Sequence, residues 1–529
     1  MKKWLPVIIL ACAQFIMVLD STVMNVSISA VVKDLNTSVS ALQAAITFYT
    51  LTMAALMLTG GKLGDILGRR RAFVIGSIIY AVGSFITAIS PNIGTLFAGW
   101  SIVEALGAIL VIPAIAALVA MNYTGRDRMV AYAIIGGISG AAAAAGPLIG
   151  GAMTTYLSWR YVFLGETVIM AIVLLFVKLI ADKSKPSSLA IDWPSVGLSV
   201  VGMTMLVFGL LQSKTWGWIT PINTPQLGGR AIAPLGISLV AYLLIGGAAI
   251  LWLFYRRCQK LEAAGRNPLL SVSMLSIPSL RSGVLSLAGQ YLITAAIFFV
   301  IPIYLQMLLG LDALETGLKI LPLSVAVIIA SMGGSWLINK YSPKQIVRLG
   351  QLALVAGAFV LIGAINPQLK GFAFGLGMFI VGAGLGLLAS QLGNVIMSSV
   401  PEKLSSEAGG TSGTAQNLGS SLGTALIGSI MLASLAGQFT ATVNASPDIP
   451  QNVKTAIGQN AKAKIQIVPI AEVPAIAQEA GLDPTQAQAV ADAYATAQVG
   501  ALKKSMFFIA VLALLMIGVS RFIPNKKLT

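Results

Sequence analysis

Histidine is absent from the 529 residues, charged residues make up only 10%, and there are just two cysteines. Without histidine, the chain has no histidine general base, no histidine metal ligand and no Ser-His-Asp triad. Cys12 lies in an apolar run and Cys258 follows two arginines, which excludes a disulfide framework and a CxxC metal site. The charged fraction is also too small to cover several soluble domains, for which about 25% is usual. The composition therefore excludes an ordinary soluble enzyme.

Hydrophobic residues are abundant instead, at 57%, and the mean hydropathy is +0.87. A helix needs about 20 mostly apolar residues to cross a bilayer. Fourteen segments of the sequence qualify, and we expect each to be a membrane span. They are residues 5–32, 41–63, 72–91, 94–121, 130–153, 161–181, 193–213, 231–255, 282–309, 315–338, 346–366, 371–398, 407–436 and 502–523.

Basic residues alternate between the loops of this span pattern. The net charge is +16, from 34 Lys and Arg against 18 Asp and Glu. If the N-terminus lies inside the cell, 22 of the basic residues fall on inner loops and only six on short outer loops. Because Lys and Arg are retained on the cytoplasmic side, we expect both termini to be cytoplasmic. The positive charge is then a topology signal, and no nucleic-acid partner is expected.

One long segment, 437–501, is polar and rich in alanine and glutamine. Pro484 lies near the first turn of a potential helix there. We expect an extracytoplasmic loop with a short helix. Its simplest interpretation is a solvated loop, and whether it binds a partner is open.

The turn after the second segment carries the pattern Gly-x-x-x-Asp-x-x-Gly-Arg-Arg. A simple basic turn would explain it, but the pattern resembles the loop 2–3 signature of the major facilitator superfamily, whose aspartate belongs to a charge network that locks the outward-facing state. The resemblance implies conformational gating by five residues. They are Gly61, Asp65, Gly68, Arg69 and Arg70. The sequence departs from the family at Ile66, where a basic residue is usual.

The fifth segment contains Gly146, Pro147, Gly150 and Gly151, which could simply be small residues for close helix packing. Their pattern resembles the antiporter signature of drug exporters, which importers of the superfamily usually lack. In the first segment, Leu-Asp-x-Thr-x-x-Asn at 19–25 is similar to the first-helix signature of the 14-span drug:proton antiporter branch. The usual closing proline of that signature is Ser29 here.

The resemblance covers nearly the whole chain and implies its fold. We expect an all-α polytopic membrane protein with the major facilitator fold, that is, two six-helix bundles plus two inserted central helices. The expected divisions are an N-terminal bundle at 1–190, the inserted pair at 191–258, and a C-terminal bundle at 259–436 and 502–529, with the loop 437–501 between its parts.

Three acidic residues lie deep in the expected spans. They are Asp20, Glu104 and Glu166. A carboxylate at the centre of a span costs about 2.5–3.5 kcal/mol on insertion scales, so each should face a cavity or a partner. We expect these groups to carry protons and to contact the cationic substrate in a cavity, and Asp20 and Glu104 could titrate as a coupled pair if their helices line that cavity. Each could instead be a structural, hydrogen-bonded group.

Several uncharged polar residues also interrupt apolar runs. Some should face a central cavity, and others should bond between helices. The cavity candidates are Asn25, Gln290, Gln391, Asn394 and Asn417.

These features predict a proton-coupled antiporter that exports lipophilic, cationic drugs by alternating access, a multidrug efflux activity that confers antibiotic resistance. We expect a monomer in the bacterial inner membrane, driven by the proton gradient, with no cofactor, no catalytic residues and no metal site. The sequence also lacks a phosphate-binding Gly-x-x-x-x-Gly-Lys-Ser/Thr loop, which argues against transport driven by ATP. The alternatives are a dedicated exporter of a metabolite, lipid or siderophore on the same fold, or a membrane-embedded enzyme or sensor.

Overall fold

The computed structural model describes residues 2–182, 191–227, 230–338, 340–369, 371–401, 404–447, 449–455, 457, 465 and 467–525. Almost all ordered backbone in these ranges is helical. The α-helices, numbered along the chain, are α1 (Leu5–Val26), α2 (Ile28–Asp34), α3 (Val39–Leu67), α4 (Arg69–Ala88), α5 (Ile93–Leu96), α6 (Ala105–Asn122), α7 (Gly125–Tyr156), α8 (Arg160–Phe176), α9 (Trp193–Trp216), α10 (Leu239–Ala263), α11 (Val272–Leu275), α12 (Pro278–Pro302), α13 (Ala313–Leu337), α14 (Pro343–Ala364), α15 (Gly371–Ser398), α16 (Ser405–Ala445), α17 (Val473–Glu479) and α18 (Pro484–Val519).

Other elements are short. Two π-helical segments interrupt the regular helices: Phe97–Glu104 joins α5 to α6, and Ile303–Leu308 extends α12. A hairpin of two-residue strands, β1 (Gln226–Leu227) and β2 (Arg230–Ala231), lies between α9 and α10. The 3-10 turns are Lys2–Trp4, Val177–Leu179, Pro234–Gly236, Ile470–Glu472 and Ser520–Phe522.

Thirteen helices in the described residues are long and apolar enough to cross a membrane. The count becomes fourteen if the two parts of α7, Gly125–Ala143 and Leu148–Tyr156, which are bent by 42°, form one span. The bend falls between Ala143 and Leu148, a stretch that includes Pro147, and a proline has no backbone N–H to continue the hydrogen bonds of a helix. The expected multi-span, all-helical architecture is therefore confirmed.

The spanning helices pack into two groups with an inserted pair beside them. In the first group α1 packs on α7, and α4 packs on α6 and α8; in the second, α13 and α14 pack on α15, and α12 packs on α16. The groups meet where α7 lies along α13 and where α3 lies along α16. Glycines permit this approach: a Cβ at Gly137 would lie 2.7 Å from the Ser331 hydroxyl oxygen of α13, and one at Gly61 would lie 2.7 Å from the Ser406 carbonyl oxygen of α16.

The inserted helices α9 and α10 pack on each other, and α9 also contacts α3 and α16 at the seam between the groups. An ion pair fastens them at one end, where Arg257 donates to both carboxylate oxygens of Asp192 at 2.7 Å. Asp192 also caps α9 by accepting from the Ser195 backbone N–H. The Arg257 guanidinium lowers the pKa of Asp192 from 3.8 to about 2, so the pair stays charged at neutral pH.

The segment 437–501 is partly built from the helices on either side of it. α16 continues to Ala445, and α18 begins at Pro484, capped by the Asp483 side chain, and runs on into the last span. The Tyr494 ring packs edge-on against Phe439, and its hydroxyl accepts from the Val468 backbone N–H at 3.0 Å. Apolar contacts thus extend the two helices beyond the lengths that a bilayer requires.

Candidate functional site

Asp20 lies on α1 and is completely buried. The indole Nε1 of Trp100 donates to its Oδ1 at 2.8 Å, while Oδ2 has no hydrogen-bond partner. The Tyr49 ring of α3 stacks on Trp100 with centroids 4.8 Å apart. Three helices of the first group therefore fix this carboxylate, and they leave one of its oxygens available.

Glu104 is the last residue of the π-helical segment that leads into α6. A π segment carries one extra residue per turn and occurs frequently at functional sites. Gly83 of α4 allows the close approach, because a Cβ there would lie 2.5 Å from the Glu104 backbone nitrogen. Glu104 is fully buried, and neither of its carboxylate oxygens has a hydrogen-bond partner. Such a group is costly unless it binds a proton or a cation.

Glu166 reaches the same place from α8. Its Oε2 accepts from the Ser84 hydroxyl at 2.9 Å and from the Tyr80 hydroxyl at 3.2 Å, both on α4. Its Oε1 has no hydrogen-bond partner, and the residue is 1% exposed.

The three carboxylates meet inside the first group of helices, with one oxygen from each lying within 4.8 Å of the others. We call Asp20, Glu104 and Glu166 the carboxylate triad. Three negative charges at this separation in a buried site repel strongly, so not all can be ionised together unless a cation joins them. Oxygen ligands of this kind suit protons or hard cations. The triad can therefore store and release positive charge.

A central cavity of about 150 Å³ lies between the two groups of helices. Its walls come from α1, α6 and α7 on one side and from α12, α13, α15 and α16 on the other. Drug-sized pockets usually measure about 300–1,000 Å³, so this cavity must widen to take a drug. The described residues that line it do not include the carboxylate triad.

Gln290, one of the amide side chains expected at a cavity, lines the central cavity. Gln391 and Asn394 are buried elsewhere in α15, where Gln391 donates to the Gly334 carbonyl oxygen. Asn417 donates to the Gly413 carbonyl oxygen of its own helix. The Asn25 side chain lies outside the described residues. Gln14 and Gln416 also line the cavity.

The expected gating residues divide between two environments at the side of the molecule that carries the N-terminus, which we call the terminal side. Gly61 packs against Gly410, and Arg69 donates to the Ser406 hydroxyl at 3.1 Å, so both face the second group. The Asp65 Oδ1 lies 3.9 Å from the Arg69 Nη2.

The remaining two gating residues belong to the first group alone. Arg70 donates to Asp182 and to the Ile180 carbonyl oxygen. Gly68 joins α3 to α4 with φ at +90°, a conformation that favours glycine.

A buried ion pair accompanies these contacts. Lys62 of α3 donates to Glu407 of α16 at 2.8 Å, and both side chains are at most 6% exposed. The second Glu407 oxygen accepts from the Ser271 backbone N–H at 2.9 Å. Neither Lys62 nor Glu407 was expected as a site residue. Their signal in the sequence is a pair of opposite charges at those ends of two expected spans that lie on the same side of the membrane, namely the end of 41–63 and the start of 407–436.

The glycines of α7 serve helix contact. A Cβ at Gly146 would lie 1.9 Å from the Thr22 hydroxyl of α1, and Gly150 and Gly151 are also buried. The side chain of Pro147 lies outside the described residues. The side chains that hold the triad were not predicted from the sequence, because aromatic and hydroxyl residues are common in membrane helices. They are Tyr49, Tyr80, Ser84 and Trp100.

The Major Facilitator Superfamily model matches residues 10–424. The chain belongs to this superfamily. It is therefore a multi-pass membrane transporter and not an enzyme.

Two relatives of this superfamily member match most of its length. The probable actinorhodin transporter of Streptomyces coelicolor is 26% identical over 84% of this chain and 75% of that protein. The multidrug efflux pump LfrA of Mycolicibacterium smegmatis is 27% identical over 85% and 83%. Among solved structures, the proton:xylose symporter XylE shares 13% identity with a TM-score of 0.57, covering 100% of this chain and 97% of that one, and this likeness supports the fold alone.

Proposed function

We propose that this transporter exports lipophilic drugs in exchange for protons, by alternating access. One relative is named as a multidrug efflux pump, which supports the direction of transport and the class of cargo, and another is named as a probable actinorhodin transporter. In this mechanism the two helix groups rock about the central cavity, as repeats do in many secondary transporters.

The carboxylate triad is the observation that carries the proton coupling. Its members combine full burial, mutual distances within 4.8 Å and four oxygens without hydrogen-bond partners. The simplest way to stabilise such a cluster is to protonate part of it. Proton uptake from one side and release to the other then drives the rocking. Each proton that moves inward releases about 2.3 kcal/mol of free energy per 100 mV of membrane potential.

We assign the opening and closing of the cavity to the contacts between the two helix groups on the terminal side. Lys62 and Glu407 join α3 to α16, and Arg69 contacts Ser406 beside them. In this mechanism these contacts hold the terminal side closed and separate when the cavity opens there.

Proteoliposomes with an imposed pH gradient test the proposal. Purified protein should move a lipophilic dye only when the gradient is present, and a protonophore should abolish the movement. Asp20→Asn, Glu104→Gln and Glu166→Gln should each reduce gradient-driven transport at least about tenfold, which corresponds to about 1.4 kcal/mol. Glu479→Gln is the matched control, because this carboxylate is exposed and remote from the triad.

The contrary result is equally clear. Wild-type, gradient-driven transport in all three triad variants would make the triad a structural cluster. Dye movement that ignores the gradient would remove proton coupling altogether.

A dedicated exporter of one metabolite is the second candidate, because one relative is named for a single compound, actinorhodin. A substrate panel in the same proteoliposomes separates the two: a multidrug exporter moves several unrelated lipophilic compounds, and a dedicated exporter moves one. The expected cationic charge on the drug has no support from the cavity, because no charged residue occurs among the described residues that line it.

A further inference from the structure

We propose that the central cavity selects uncharged lipophilic molecules that carry hydrogen-bond donors, in preference to cations. This inference rests on the proposed export function and specifies its substrate class. Two features of the structure lead to it, namely the chemistry of the cavity walls and the position of the carboxylate triad.

The polar groups on the cavity walls are amides and hydroxyls. Gln14, Gln290 and Gln416 supply amides, and no charged residue occurs among the described residues of the lining. Aliphatic and aromatic side chains, including Tyr291 and Phe298, complete the walls. A pocket of this kind solvates an apolar body with a few neutral polar groups.

Gln290 offers the clearest single contact for a substrate. It is 9% exposed, it lines the cavity, and its Oε1 has no hydrogen-bond partner. A buried amide oxygen without a partner costs stability until a donor reaches it. A hydroxyl or an amide N–H of the substrate would satisfy it.

The hydroxyls of the cavity favour the same kind of ligand. Four of them already donate their protons to backbone carbonyl oxygens: Tyr132 to Ala116, Ser139 to Ile135, Thr294 to Gln290 and Ser412 to Ala408. Their remaining capacity is to accept hydrogen bonds through the oxygen lone pairs. These four hydroxyl oxygens and the Gln290 Oε1 therefore present acceptors to a substrate that brings donors, beside the amide N–H groups of the glutamines.

A permanent cation would lose its hydration in this cavity without gaining a counter-ion. The carboxylate triad lies within the first helix group, with each member at most 1% exposed, and is absent from the described lining. Tyr291 and Phe298 could attract a cation through their ring faces, but this attraction is smaller than the cost of burying an unpaired charge. Substrate and proton sites are thus separate, and helix α1 contributes to both.

Two probes of opposite character test the inference in proteoliposomes with an imposed pH gradient. Radiolabelled chloramphenicol is uncharged and carries hydroxyl and amide donors, whereas ethidium is a permanent cation. Wild-type protein should move chloramphenicol at least about tenfold faster than ethidium. In detergent, chloramphenicol should also raise the thermal unfolding midpoint of the wild-type protein at concentrations where ethidium does not.

Substitutions at Gln290 provide a gain of function that misfolding cannot imitate. Gln290→Glu should increase ethidium transport at least about tenfold while reducing chloramphenicol transport. Gln290→Leu, the matched variant without a polar group, should reduce chloramphenicol transport roughly three- to tenfold and leave ethidium transport as low as in the wild type.

The outcomes separate this inference from the proposed function. Gradient-driven transport of ethidium but not of chloramphenicol by the wild type would overturn the inference and leave proton-coupled export standing. If both probes and the lipophilic dye ignore the gradient, the proposed function fails first. Unchanged selectivity in a Gln290→Glu protein that keeps its unfolding midpoint would overturn the assignment of Gln290.

Discussion

At the scale of single residues, the ion pair between Lys62 and Glu407 is the contact whose loss should matter most to the conformational balance. Both charges are buried, and each helix group supplies one of them. Removing one partner leaves the other unpaired in a site of low polarity, which typically costs about 3–5 kcal/mol. Because the pair joins the two helix groups on the terminal side, where they must separate for the cavity to open, Lys62→Met or Glu407→Gln should shift the population towards a state that is open there.

Spin labels on the two helix groups would measure this shift. Labels at Arg71→Cys on α4 and Arg281→Cys on α12, in a protein lacking Cys12 and Cys258, should move apart in either single variant. The double variant, which leaves no unpaired charge, should recover part of the closed population. Lys3→Met is the control, since its pair with Asp127 is exposed and such pairs contribute at most about 1 kcal/mol. Unchanged distances in both single variants would show that the pair does not hold the gate.

Residue-scale prediction from sequence succeeds where a residue is unusual in its surroundings. Asp20, Glu104 and Glu166 were identifiable as candidates because a carboxylate in an apolar run is expensive. Their environment was not predictable, since Trp100 and Tyr80 are of residue types that also occur as ordinary packing residues. The expectation that the carboxylates would line a drug cavity also depended on which way each side chain points. The π-helical segment that ends at Glu104 changes that direction, and no pattern in the sequence indicates it.

At the scale of helices, the approach of α4 to the π-helical segment controls the geometry of the triad. A Cβ on Gly83 would lie 2.5 and 2.6 Å from the backbone N and Cα of Glu104, so Gly83→Ala must push the two helices apart. Overpacking of this kind typically costs about 1–3 kcal/mol. We expect a lower thermal unfolding midpoint in detergent and a loss of gradient-driven transport, because Glu104 moves away from Asp20 and Glu166.

Gly165 gives a matched control for this substitution. It precedes Glu166 on α8, but a Cβ there meets no atom within 4 Å. Gly165→Ala should therefore leave transport intact and keep or slightly raise the unfolding midpoint, since alanine favours a helix by up to about 1 kcal/mol over glycine. Equal behaviour of the two variants would mean that the close contact at Gly83 does not position the triad.

Helix existence was predictable from apolar length, but helix ends were not. The last span begins eighteen residues before its apolar run, at Pro484, because Tyr494 and its neighbours pack on α16 and support a helix outside the bilayer. The first span is shorter than its apolar run, and α1 ends at Val26. Tertiary contacts decide these limits, and hydropathy alone does not contain them.

At the scale of the whole molecule, the arrangement of two helix groups became predictable only through the resemblance to a family. Hydropathy gives a list of spans without saying which of them touch. The contacts of α7 with α13 and of α3 with α16 depend on glycines such as Gly137 and Gly61, whose small size is compatible with many partners. Motifs that a family shares supply the missing pairing information.

The orientation of the whole molecule in the membrane is the remaining prediction from charge. With 22 basic residues on the expected inner loops, the terminal side should face the cytoplasm and the segment 437–501 should face outward. Ile476 is 48% exposed on α17 in that segment, and Lys3 lies near the N-terminus. In intact cells, an impermeant maleimide should label Ile476→Cys but not Lys3→Cys, both in a protein without Cys12 and Cys258. Permeabilised cells should show labelling of both positions, which confirms that each thiol is reactive. Labelling of Lys3→Cys alone in intact cells would invert the topology, and with it the direction in which the triad must take up and release protons.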